Sequence, residues 1–182
     1  RRNYLSPGLK NSIINSIKEK KILTTETIIV DPVYIACTFG AIKPDETAEL
    51  SFADNTMLRV FRSADSRLSV DQIKNKTANI IQDIFSQFSL GGIVTLTDLT
   101  TKILDINGVS DVKTVRTDVD CSINGVSMFA YNPIYPDVDI VTSSADIPLS
   151  FFKYPYLENI TKLKDKIEVV AQLTSTADTS TY

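Results

Sequence analysis

A helical stripe with marked ends dominates the middle of the chain and constrains the rest. Ser69 and Gln72 stand at capping-box spacing. Ile73, Ile80, Ile81, Ile84, Phe85 and Phe88 then recur at the helical period, with Thr77 on the same face. Gly91-Gly92 supplies a left-handed stop. A helix that is apolar on one side must bury that side against another element. The flanking segments predict what that element is. Met57–Arg62 alternates as a strand, Ile93-Val94-Thr95 is short and strand-like, and Val109–Val119 reads as a longer strand after the Asn107-Gly108 turn. Between them lies a third helix, with Thr97 as its expected cap, Asp98 in its first turn, and Leu96, Leu99, Ile103 and Leu104 on its apolar face.

The first helix opens at Ser6-Pro7 and carries Leu9, Ile13, Ile14 and Ile17 on one stripe. The Lys18-Glu19-Lys20-Lys21 run closes it, where positive charge suits the helix dipole. A strand region follows over Thr27–Lys43. Pro32 cannot donate to a ladder, so it splits that region into a short strand and a longer one. Cys37 sits in the longer piece and reads as a small buried hydrophobe. After Asp120 the text becomes irregular and rich in Pro, Tyr and Phe. Strands are expected at Val126–Tyr131, Val138–Thr142 and Lys166–Leu173, ahead of a frayed tail from Thr174 to Tyr182. The expected class is α+β. A ferredoxin-like sheet-and-helix unit spans residues 1–118, and a β-rich extended arm spans 119–182.

Composition narrows the function. The chain has 182 residues and no histidine, which removes the commonest general base and transition-metal ligand. Net charge is −3 with scattered basic residues, unlike the basic stripe of a nucleic-acid binder. Hydrophobic residues make up 43% and mean hydropathy is near zero, enough for a packed core. No apolar run reaches the ~18–20 residues that span a bilayer. The two cysteines, Cys37 and Cys121, lack any redox or metal spacing. The chain opens Arg1-Arg2-Asn3-Tyr4, which reads as a piece of a longer protein. Gly91-Gly92 lacks the phosphate-loop pattern, and Asp105-x-Asn107-x-x-x-Asp111 lacks the full calcium-loop ligand set. Asp118 with Asp120, and Asp137 with Asp139, share a strand face, where solvated strand ends outweigh acid/base pairs. Arg59, Arg62 and Arg67 suit either an acidic partner or the charged protection of an edge strand. These features predict a binding module without catalysis, cofactor, metal or small-molecule substrate. Two rivals remain: a metal-dependent hydrolase or transferase using Asp118 or Asp120, and an RNA-binding ferredoxin-like module with aromatics on its sheet.

The aromatic residues of the last third are the candidate interface. Phe129, Tyr131, Tyr135, Phe151, Phe152, Tyr154 and Tyr156 are rigid anchors of the kind enriched at binding hot spots. Packing onto the chain's own core competes equally as an explanation.

An ordered set of landmarks adds a resemblance. The first helix is followed by Ile28-Ile29-Val30-Asp31-Pro32-Val33-Tyr34-Ile35, a strand and a long helix. Gly91-Gly92 and Val94-x-Leu96-x-x-Leu99-x-x-x-Ile103 come next, then Ile106-Asn107-Gly108-Val109-Ser110-Asp111-Val112. Over roughly residues 5–117 this resembles the C-terminal region of the baseplate J-like family of contractile tails. The elaborated remainder is similar to T-even-like bacteriophage members of that family. The resemblance implies a virion baseplate wedge component, assembled in the host cytoplasm. It also implies homodimers or higher homo-oligomers that form a ring around the tail hub, contacts with other wedge proteins, and no catalytic residues to carry over.

Overall fold

In the computed structural model, the described residues are 6–18, 29–135, 141–143 (backbone only) and 146–171. The strand regions pair as two four-stranded sheets. Strands β1 (Val33–Phe39), β2 (Thr56–Arg62), β4 (Val109–Arg116), β5 (Cys121–Asn124), β6 (Met128–Tyr131), β7 (Val141–Ser143), β9 (Lys153–Leu157) and β10 (Ile167–Ala171) contribute to them. The first sheet has the order β7-β6-β1-β9 and the second β10-β2-β4-β5. A third, two-stranded ribbon joins β3 (Ile93–Val94) to β8 (Ile147–Pro148). Helices α1 (Pro7–Lys18), α2 (Val70–Ser86) and α3 (Leu96–Leu104) complete the described elements, with 3-10 turns at Leu50–Ala53 and Ile160–Lys166. The class is α+β, as the alternation of periods requires. Within that class the helices fall differently from a ferredoxin-like order. Both α2 and α3 lie between β2 and β4 in the chain, whereas the ferredoxin-like alternation gives each of two crossovers its own helix.

The expected division at residue 118 is not followed by the packing. β6 and β9 flank β1, antiparallel and parallel respectively, and β10 adds parallel to β2. One core cluster takes Ile35, Leu58 and Ile81 together with Met128, Ile147 and Ile167. The segment expected as an extended arm therefore completes both sheets. Two of its strands, β6 and β10, lie where the sequence pattern predicts them, but the parallel pairing of β9 and β10 leaves no hairpin signal in the sequence.

Local chemistry explains the elements. Ser69 accepts from the Gln72 N–H and Gln72 accepts from the Ser69 N–H, closing the predicted capping box. Ile73, Thr77, Ala78, Ile81, Ile84 and Phe85 are buried along α2, while Ile80 and Phe88 pack at the margin of the core. The helix stops at Ser86, before Gly91-Gly92. Thr97 is not a cap: α3 begins at Leu96. Its N-terminus is capped instead by Asp146, which accepts from both the Thr97 N–H (3.0 Å) and the Thr97 hydroxyl (2.7 Å). Residues 29–32 form no strand, so only the longer piece after Pro32 is paired; residues 27–28 lie outside the described residues. Most of the Val138–Thr142 expectation and the tail also lie outside them.

Arg59 and Arg62 do not protect an edge, because β2 is an interior strand. Arg59 pairs with Glu168 of β10 at 2.6 Å, and Arg62 donates to the carbonyls of Ser66 and Leu68 ahead of α2. The real edge strand β9 is guarded by Pro155, which has no N–H to offer a foreign strand.

Gly40 sets the space for a fully buried aromatic on β6. A Cβ there would lie 2.3 Å from the Phe129 ring, and Phe129 is fully buried. Gly40→Ala is expected to destabilise the fold by about 1–3 kcal/mol through overpacking. Gly8→Ala, which meets nothing within 4 Å, is the matched control. Urea midpoints of the two variants check this; equal midpoints would refute the packing argument.

Candidate functional site

The most exposed aromatic, Phe151, stands on a backbone that cannot easily move. The Val33 N–H donates to the Phe152 carbonyl (2.9 Å), and the Lys153 N–H closes a turn onto Ser150 (2.8 Å). From the other side, the Gly91 N–H donates to the Lys153 carbonyl (3.0 Å) and the Leu149 N–H to the Gly92 carbonyl (3.1 Å). Gly91 has φ +68, and a Cβ there would come within 2.8 Å of the Phe151 Cα. Only glycine satisfies both demands. The ribbon of Ile93 with Pro148 and Val94 with Ile147 continues this zip, and Val94 and Ile147 are buried beneath it.

The outcome is an apolar ledge. Phe151 is 86% exposed, and Phe152, Leu90 and Ile93 are each about half exposed (46%, 50% and 53%). Val30 adds to the rim: it precedes Val33, whose N–H holds Phe152, and it is itself largely exposed. Large exposed aromatics beside aliphatic side chains are what a protein contact uses.

The seven candidate residues divide between surface and core. Phe151 and Phe152 form the ledge. Tyr135 is also exposed, beside Ile134, on a turn in which Asn132 accepts from the Ile134 and Tyr135 N–H groups. Phe129 and Tyr131 are corrected: both are buried on β6, and neither offers a surface. Burial, then a hydrogen bond to Glu158, pushes the Tyr131 hydroxyl well above its usual range. Tyr154 and Tyr156 are half-buried on β9, where their rings meet Tyr34 edge-on at 6.0 and 6.4 Å. Sequence reasoning missed Leu90, Ile93 and Val30. The signal for the first two was their position on either side of a Gly-Gly pair, past the last buried turn of α2.

Of the acidic candidates, Asp118 has a structural duty, and Asp137 and Asp139 lie outside the described residues. The Arg116 side chain is buried, and its guanidinium forks onto both Asp118 oxygens at 3.1 and 2.7 Å. It also reaches Glu46 at 2.5 Å and lies 4.0 Å from the Phe52 ring centroid, a cation–π distance. Hydrogen bonding from Arg116 holds the Asp118 carboxyl below the usual carboxylate range. An acid/base role for Asp118 is therefore displaced by an ion-pair role. Among the described residues, no group of three His, Cys, Asp or Glu could hold a metal ion, and no helix is long and apolar enough to cross a membrane. Cys37 is buried as expected, and burial pushes its thiol up to about 12.

No protein-family model matches the chain, and no curated protein matches it.

Asp146 ties the far side of the ledge to α3, and this tie is pH-dependent. The backbone N–H of Thr97, then its hydroxyl, lowers the Asp146 carboxyl below its usual range. A depressed carboxyl stabilises the fold above its unfolded value of about 4, and that contribution is lost as pH falls through the folded value. Asp146→Ala is expected to cost about 1 kcal/mol at neutral pH, the ordinary size of a lost helix cap. The gap from the unsubstituted chain should shrink from about pH 4 downward. Urea unfolding at pH 7 and pH 3 measures it, and a gap that stays constant across that interval would remove the ionised cap.

Proposed function

We propose that the chain is a structural assembly module of a contractile-tail baseplate, a wedge component that acts by protein contact and not by catalysis. In this reading it self-associates into a ring around the tail hub, holds neighbouring wedge proteins, and takes part in the rearrangement that precedes sheath contraction. It works in the virion after assembly in the host cytoplasm. The observation that carries the reading is the rigid apolar ledge of Phe151, Phe152, Leu90 and Ile93. Burying such a surface against a partner is favourable, and its fixed backbone lowers the ordering cost of doing so.

The sequence landmarks support the same reading. Pro32 leads into the strand that holds Phe152, and Gly91 is the residue on which the Phe151 backbone rests. Two of the features that carry the baseplate J-like resemblance thus underlie the ledge. The rival hydrolase or transferase reading would draw on Asp118, which is paired with Arg116.

Phe151→Asp tests the reading, since the side chain is almost wholly exposed and its loss leaves the core intact. Sedimentation across a concentration series should show self-association of the unsubstituted chain, weakened at least tenfold by the variant, with unfolding midpoints about equal. Association unchanged by the variant, or lost together with the fold, would turn the argument against the ledge.

A further inference from the structure

Helix α1 is the second unmatched apolar surface. Leu9, Ile13 and Ile17 follow one another at intervals of four along one stripe, with Ile14 beside them; Leu9 and Ile17 are exposed, Ile13 and Ile14 are half-buried, and none is fully buried. It has 12 residues, a length at which an isolated helix is marginal in water. Such a helix gains its stability from a surface that covers its stripe. Among the described residues α1 makes polar contacts: Lys10 pairs with Asp31, and Ser6 accepts from the Leu9 N–H at the first turn. The Lys10–Asp31 pair fixes the helix beside the ledge, because Asp31 lies between the exposed Val30 and the strand that holds Phe152.

Area decides between the ledge alone and the ledge with the helix. A fully exposed Phe offers roughly 200 Å². With Phe151 mostly exposed and its four neighbours about half exposed, the ledge amounts to on the order of 500 Å², within the ~300–600 Å² of a typical monomer's largest patch. A stable interface takes about 800 Å² from each partner. The ledge by itself falls short, and the α1 stripe supplies an area of the missing order. A two-fold axis near Asp31 would set each stripe on the other copy's ledge, so one kind of contact would be made twice.

We propose that the occupant of the ledge is helix α1 of a second copy, exchanged reciprocally between two chains. Leu9, Ile13 and Ile17 of one chain enter between Phe151, Phe152, Leu90 and Ile93 of the other, an amphipathic helix laid on an apolar surface. This rests on the reading of the chain as a self-associating module and specifies which surfaces meet.

The test uses the whole chain. A chain carrying Ile13→Cys is mixed with a differently tagged chain carrying Phe151→Cys under mild oxidation; the native Cys37 and Cys121 are both buried. A disulfide-linked pair of unlike chains is expected, well above the level given by either variant alone. In sedimentation, Leu9→Asp should weaken self-association at least tenfold while leaving the unfolding midpoint about unchanged, because the Leu9 side chain is exposed in the single chain. If the chains associate but Leu9→Asp changes nothing, helix exchange is wrong and self-association through other surfaces stands. If the unsubstituted chain stays monomeric at every concentration, both ideas fall. A chain carrying both cysteines that forms only an internal disulfide would place α1 on its own ledge and overturn the exchange.

Discussion

Helix α2 bears the fold because two parallel strand additions both rest against it. β9 joins β1 and β10 joins β2, and each of these late strands contacts α2. A parallel pair needs a long crossover, so neither sheet can close until the last third of the chain has returned. The entropy of closing such loops grows only slowly with length, and the apolar face of α2 supplies the compensating burial. Ile73, Ile81, Ile84 and Phe85 of its buried face belong to one core cluster with residues from strands of both sheets. Each sheet's outer strand depends on the same helix, so the chain behaves as one core.

That dependence explains what the ledge is built on. β9 begins at Lys153, directly after Phe151 and Phe152, and the segment leaving α2 runs alongside it through Gly91 and Gly92. The exposed aromatics sit where two far-apart segments are laced together by backbone hydrogen bonds. A side chain on such a frame has little freedom to lose on binding. The Arg116 cluster performs a comparable task at the other end of β4. One buried guanidinium holds Glu46, Asp118 and the Phe52 ring in place, uniting segments that share no strand ladder.

Local physics was legible in the sequence, and tertiary physics was not. The capping box of α2, its buried stripe and the strand character of residues 56–62 and 109–116 follow from period and cap chemistry alone. Gly91 looked like a helix stop because glycine favours positive φ there; it does adopt φ +68, but to admit the Phe151 backbone and not to end α2. The α3 cap was misassigned for a related reason. Asp146 arrives from 49 residues away, beyond any spacing rule. Among the aromatics, composition could not separate core from surface. Phe129 is buried because Gly40, just past the end of the strand β1 that it pairs with, leaves room for its ring, and a single sequence does not display that pairing.

The same logic distinguishes the two unmatched apolar surfaces. The ledge is preformed: its backbone is fixed by strands whose stability comes from the core, so it persists whether or not anything covers it. Helix α1 is the opposite case, since nothing in the core pays for its helical turns. A rigid acceptor and a conditionally stable helix on one chain make association self-reinforcing, because covering the stripe stabilises the helix that presents it. The Lys10–Asp31 pair then acts as a positioning contact, with its partly exposed groups supplying register more than energy. In the proposed exchange the cost of ordering α1 would be met only on docking, which lowers the affinity for any surface that does not cover the stripe.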